Sequence, residues 1–177
     1  MRSSALIVLA FAVTPFADTA NAAAQASWEG SVADFSNVCV SSLLAPAELE
    51  GALKDRGMAA MATSFRPPGW DGELYAATDG GRGVTVAYQN YSDLKISNCT
   101  VVAPKAASRD ELDGLRVKLE AHSRIGKLEG RIFDAAPTTK IASFKRPGNA
   151  PMVTFTFTSL ATATTLSMTR YDLKPGN

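Results

Sequence analysis

Hydrophobic residues change their spacing several times along this chain, and each change marks a different element. Val32, Phe35, Cys39 and Leu43 recur at three- and four-residue steps, the pattern of one buried helical stripe. Ala45-Pro46 then restarts the chain. Proline suits a first helical turn, Glu48 and Glu50 suit its positive end, Leu49, Ala52 and Leu53 make an apolar side, and Gly57 is a natural stop. The spacing predicts one broken helix or two short ones over residues 31–57. Phe65-Arg66-Pro67-Pro68-Gly69-Trp70-Asp71-Gly72 is a loop by composition, and after it the period drops to two. Glu73–Thr78 and Gly83–Asn90 flank the hairpin turn Asp79-Gly80-Gly81, with Val84, Val86 and Tyr88 alternating against Thr85, Ala87 and Gln89. A third strand runs from Leu94 to Val102, carries Cys99 and ends before Pro104.

The helical period returns at Ser108-Arg109-Asp110-Glu111. Ser108 caps a free backbone N–H while Glu111 reaches back, a capping box, and Leu112, Leu115 and Leu119 form the core face ahead of Gly126. From Lys127 onward the spacing again gives strands, at Leu128–Phe133, Lys140–Lys145, Met152–Thr158 and Thr162–Tyr171, punctuated by Pro137, Pro147-Gly148-Asn149 and Ser159. Helices in separate blocks favour α+β over a doubly wound parallel sheet. The expected fold is an antiparallel sheet of about six or seven strands with two or three helices on one face. The order hints at two similar halves, although no sequence repeat accompanies it.

The first 22 residues stand apart. Arg2 gives a positive start, Ala5–Val13 is an uncharged apolar run, Pro15 breaks it, and Ala20-Asn21-Ala22 places small residues where a signal peptidase reads. A spanning helix needs roughly 20 apolar residues, and this run is much shorter. We expect residues 1–22 to be a cleaved signal peptide, 23–30 a flexible mature N-terminus and 31–177 a single domain. A periplasmic or secreted location follows, with no membrane insertion after cleavage. With no cysteine just after the cut, lipid anchoring is disfavoured.

Composition narrows the partners. The chain has 177 residues, 46% hydrophobic and 20% charged, which is globular and large enough for a core. Its formal charge is +1, and losing Arg2 and Asp18 leaves that unchanged. Near-neutral, mixed charge makes no electrostatic case for nucleic acid. Two cysteines in an exported chain point to a disulfide between Cys39 and Cys99. They lie 60 positions apart, and they form neither the Cys-x-x-Cys of a redox pair nor, with one histidine, a zinc set.

No catalytic, cofactor-binding or metal-binding motif is present. His122, the single histidine, sits where a helix C-terminus favours it. Asn90-Tyr91-Ser92 and Asn98-Cys99-Thr100 match glycosylation sequons by chance, because the Ala-rich leader reads as bacterial. Val153–Thr158 alternates strictly. Its threonines could mimic an ice-binding ladder, but one strand supplies too few rungs, and threonine favours strands in any case. The residues best suited to contact a partner are Arg66, Trp70, Asp71 and Tyr75, a Trp-centred patch in and after the Pro/Gly loop.

Asn37-Val38-Cys39-Val40 followed by a helix ending near Gly57, and Asn98-Cys99-Thr100-Val101-Val102 followed by the capped helix, resemble small exported proteobacterial proteins of unknown function. The resemblance implies a helix-to-strand disulfide and nothing about activity. The sequence thus leads to a non-catalytic binding or accessory protein for a protein or envelope ligand. The alternatives are a small periplasmic hydrolase without a recognisable motif, or an inhibitor or immunity-type protein using the Trp70 loop.

Overall fold

A computed structural model describes residues 27–60, 71–77, 83–148 and 151–174, with the backbone alone at 71–77. The expected leader lies outside the described residues. Ser27 caps the first helix by accepting a hydrogen bond from the Gly30 N–H (3.1 Å). The helix α1 (Trp28–Asp34) therefore begins inside the segment expected to be flexible, and it buries Trp28. It runs directly into a π-helical turn (Phe35–Val40) and then α2 (Ser41–Leu44).

Three consecutive residues of that turn, Val38, Cys39 and Val40, are fully buried. An α-helix advances 3.6 residues per turn, so neighbours like these point in widely different directions. All three are covered because the segment lies between β3, β4 and β8 on one side and the next helix on the other. Pro46–Glu48 forms the 3₁₀ turn that restarts the chain, and α3 (Leu49–Asp55) follows. Gly57, at φ 64°, then reverses it.

The strands are β1 (Met58–Ala60), β2 (Asp71–Ala77), β3 (Gly83–Asn90), β4 (Leu94–Ala103), β5 (Glu129–Ala136), β6 (Thr139–Lys145), β7 (Met152–Ser159) and β8 (Thr164–Leu173). Between β4 and β5 comes α4 (Arg109–Glu120). Among the described residues these eight strands form one antiparallel sheet in the order β1-β2-β3-β4-β8-β7-β6-β5. The α+β class is as expected. Met58–Ala60 adds a short edge strand whose alanines carry too little hydrophobic pattern to read as one.

The order has a simple logic. Each half is a helical segment followed by four strands in sequence, and the last strands of the two halves, β4 and β8, meet at the centre over ten paired positions. One face of the sheet is the core. Val84, Val86, Cys99, Leu166, Met168, Phe155 and Phe157 alternate inward and are fully buried. Phe35 of the π-turn packs edge-on against Phe155 and Phe157, with ring centroids 6.4 and 5.6 Å away.

Cys39 and Cys99 are bonded, with Cα atoms 5.2 Å apart, joining the π-turn to β4. Arg170 adds a tie between helix and sheet, donating to the Leu43 carbonyl (2.6 Å). The capping box at α4 forms as expected: the Glu111 N–H donates to Ser108 Oγ and the Ser108 N–H to Glu111 Oε2. Leu112, Leu115 and Leu119 are buried beneath it. No helix among the described residues is long and apolar enough to cross a membrane.

Candidate functional site

Among the described residues, no helix lies on the opposite face of the sheet. Strand alternation sends the even residues of β4 and β7 and the odd residues of β8 outward, and each of these side chains is half-buried or exposed. The strand registers align them in rows. Thr85, Thr100, Ser167, Thr156 and Ser143 occupy matching positions on five adjacent strands. Asn98, Thr169 and Thr154 form the row beside them, and Thr165 and Thr158 the row beyond. Neighbouring strands lie ~4.8 Å apart and successive outward residues ~6.8 Å apart, so the hydroxyls form a two-dimensional array.

At its centre the array is wired. Asn98 Nδ2 donates to Thr169 Oγ1 (2.9 Å), and the Thr100 hydroxyl donates to Asn98 Oδ1 (2.9 Å). Thr100 and Ser167 oxygens are 2.8 Å apart. A hydroxyl has one proton, and that of Thr100 is already given to Asn98, so Ser167 donates to Thr100. The result is a directed run of hydrogen bonds, Ser167 to Thr100 to Asn98 to Thr169. Within this run the Thr169 proton, the second Asn98 N–H and the Ser167 lone pairs are not used.

The helical side offers a different kind of place. An open cleft of about 570 Å³ lies between the π-turn and α3, lined by Asn37, Ser41, Glu48, Asp55 and Arg56 among others. Beneath it Asp34, 1% exposed, accepts from Arg56 Nε at 2.6 Å. Glu48 is gripped by both terminal nitrogens of Arg124 (2.8 and 3.2 Å). Those hydrogen bonds hold its carboxyl below the ordinary carboxylate range. The arrangement includes two ion pairs that hold the ends of α3 to their neighbours. His122 follows α4, and its Nδ1 accepts from the Arg124 N–H (3.2 Å), a local bond that closes the turn.

Of the residues expected to contact a partner, Arg66 and Trp70 lie outside the described residues. Asp71 and Tyr75 fall on β2, where the backbone sets them opposite Tyr88 and Val84. The hydroxyl array escaped sequence reading because its rungs come from five strands distant in the chain. The only trace was the Thr-x-Thr-x-Thr of β7. Comparison with protein families, curated proteins and solved structures finds no match to this chain.

Proposed function

We infer that this is an exported, non-catalytic binding protein that engages a component of the cell envelope through the open face of its sheet. The observation carrying this reading is the hydrogen-bonded run Ser167–Thr100–Asn98–Thr169 at the centre of a face that no described helix covers. Side chains already ordered by one another lose little further freedom on binding, which is how preorganisation raises affinity. The leader pattern at residues 1–22 and the Cys39–Cys99 bond support export, since disulfides persist in oxidising compartments.

The test compares two charge insertions on opposite sides of the molecule. The oxidised protein is incubated with isolated bacterial envelopes, and the retained fraction is measured for the wild type, Thr156→Arg on the open face and Val117→Arg on the exposed side of α4. Thr156→Arg is expected to abolish retention and Val117→Arg to preserve it, with melting temperatures alike. A wild-type protein that is not retained, or a Thr156→Arg variant retained equally, refutes the reading.

A further inference from the structure

The chemistry of the open face also restricts its occupant, an argument that rests on the binding function proposed above. On the three central strands, β4, β8 and β7, the outward residues are Thr, Ser, Asn, Leu, Ile, Val, Met and Tyr, with no charged side chain among them. Charges begin only at the flank, where Lys145 pairs with Glu129 (4.0 Å) and Arg131 lies over the Phe133 ring. An ionic ligand on the centre would lose hydration without meeting a counter-charge.

The geometry points to a neutral, extended glycan chain as the occupant. The first support is the hydrogen-bond run. If the Asn98 amide turns over, every bond in the run reverses: Thr169 donates to Asn98, Asn98 to Thr100, and Thr100 to Ser167. The same four side chains can thus offer donors or acceptors. A sugar hydroxyl is likewise both, so either polarity finds a match. The second support is shape. The array is a plane and not a pocket, with hydroxyls repeating ~4.8 Å across strands and ~6.8 Å along them, which suits a chain lying over several strands. The third is the row next to Asn98, where Ile96, Tyr171 and Met152 are register neighbours. They give an apolar platform, with an aromatic ring, for the C–H face of a sugar.

A protein partner fits less well, whether a second copy of this chain or another protein. The cores of protein interfaces are depleted in serine, and their energetic centres are short of threonine and serine alike, the residues that dominate here.

The test titrates the full oxidised protein with cellohexaose, with the hexamer of N-acetylglucosamine and with polygalacturonate, following backbone amides by NMR. At least one neutral hexasaccharide is expected to shift amides on β4, β8 and β7, while polygalacturonate does not. Asn98→Leu should weaken that binding about tenfold, the effect of one lost hydrogen-bond partner. Thr156→Arg should abolish it and Val117→Arg should leave it unchanged. Thr169→Val replaces Asn98→Leu if the latter fails to fold. No response to either neutral hexasaccharide, tighter binding of polygalacturonate, or a dimer in sedimentation that Thr156→Arg splits would each overturn the glycan assignment. Envelope retention that Thr156→Arg abolishes, with no response to the hexasaccharides, rejects the glycan and leaves the binding function standing.

Discussion

The two faces of this sheet are made from the same strands, residue by residue in alternation, yet they present opposite chemistry. On β7, Phe155 and Phe157 turn inward to full burial while Thr154, Thr156 and Thr158 turn outward. On β8, Leu166 and Met168 meet them on the inner side while Thr165, Ser167 and Thr169 continue the outer one. The inner face is covered by the helices, locked by a disulfide and filled with rings, so it carries the stability of the domain. The outer face holds half-buried and exposed hydroxyl and amide groups, the chemistry on which the proposed binding function rests. Side-chain alternation thus lets a single strand carry two chemistries at its odd and even positions.

The sharpest way to break this contrast is a pair of neighbouring substitutions. Phe157 touches Phe35, Phe144 and Phe155, and Phe157→Ala should cost roughly 3–5 kcal/mol, as for other buried aromatics. Thr156→Ala, one residue away, should stay within about ±0.5 kcal/mol. Urea melts of the two variants measure the difference directly, and comparable losses would mean that the outer face is structural after all.

The disulfide comes next. Closing a 60-residue separation constrains the unfolded chain by about 4 kcal/mol in the entropy model, and native bridges in small secreted domains are typically worth 2–5 kcal/mol. Cys39→Ser should therefore lower stability by a few kcal/mol while leaving the outer hydroxyl rows in place. Denaturation with and without reductant checks the first statement, and amide shifts of β7 and β8 check the second.

Not every hydroxyl in the strands belongs to the outer array, and the exceptions sharpen the contrast. Thr164 and Ser159 face inward and are buried. Thr164 accepts from the Ala107 N–H (2.9 Å) and donates to the Lys105 carbonyl (2.8 Å), while Ser159 bonds both the N–H and the carbonyl of Ala107. They satisfy the backbone of the β4–α4 connection. Thr164→Val keeps the shape and takes the donor from the Lys105 carbonyl, while the Ala107 N–H keeps Ser159, at a cost of about 1–3 kcal/mol. The same replacement at Thr165, its outward neighbour, should be close to neutral in the same melt.

The smallest effect concerns the start of α4. The Glu111 carboxyl is held below its ordinary value of 4.5, first by the hydrogen bond from Lys105 and then by the Ser108 backbone N–H. A carboxylate with a depressed folded pKa adds stability above the unfolded value and loses it as pH falls through the folded one. Stability should thus decline in acid below about pH 4.5, and Lys105→Ala should flatten that decline. Ser108→Ala should cost about 1 kcal/mol at neutral pH. Melting temperatures across an acid series separate the two.

Elements with strong local signals were legible in the sequence. The capping box at Ser108 and Glu111, the glycine stop at 57, and the alternation of β3 and β7 all depend on residues a few positions apart; α4 itself ends at Glu120, ahead of the expected stop at Gly126. The π-turn was not legible. Its burial on several sides comes from α3 and three strands arriving from elsewhere, and a helical stripe read from Val32, Phe35, Cys39 and Leu43 describes only the side toward the sheet. β1 was missed because Met58-Ala59-Ala60 is too short and too plain to show a period.

The candidate site divides in the same way. The sequence by itself determined that the threonines of β7 face one way and the phenylalanines the other, because side-chain alternation is a local property of extended backbone. It also determined the only possible intrachain disulfide, since the chain has just two cysteines. Tertiary structure alone decided that Thr156 stands beside Ser167, Ser167 beside Thr100, and Thr100 beside Thr85. Strand order and register are set by how the whole sheet closes over its helices, so residues scattered from Thr85 to Thr169 become a single array only once the chain has folded.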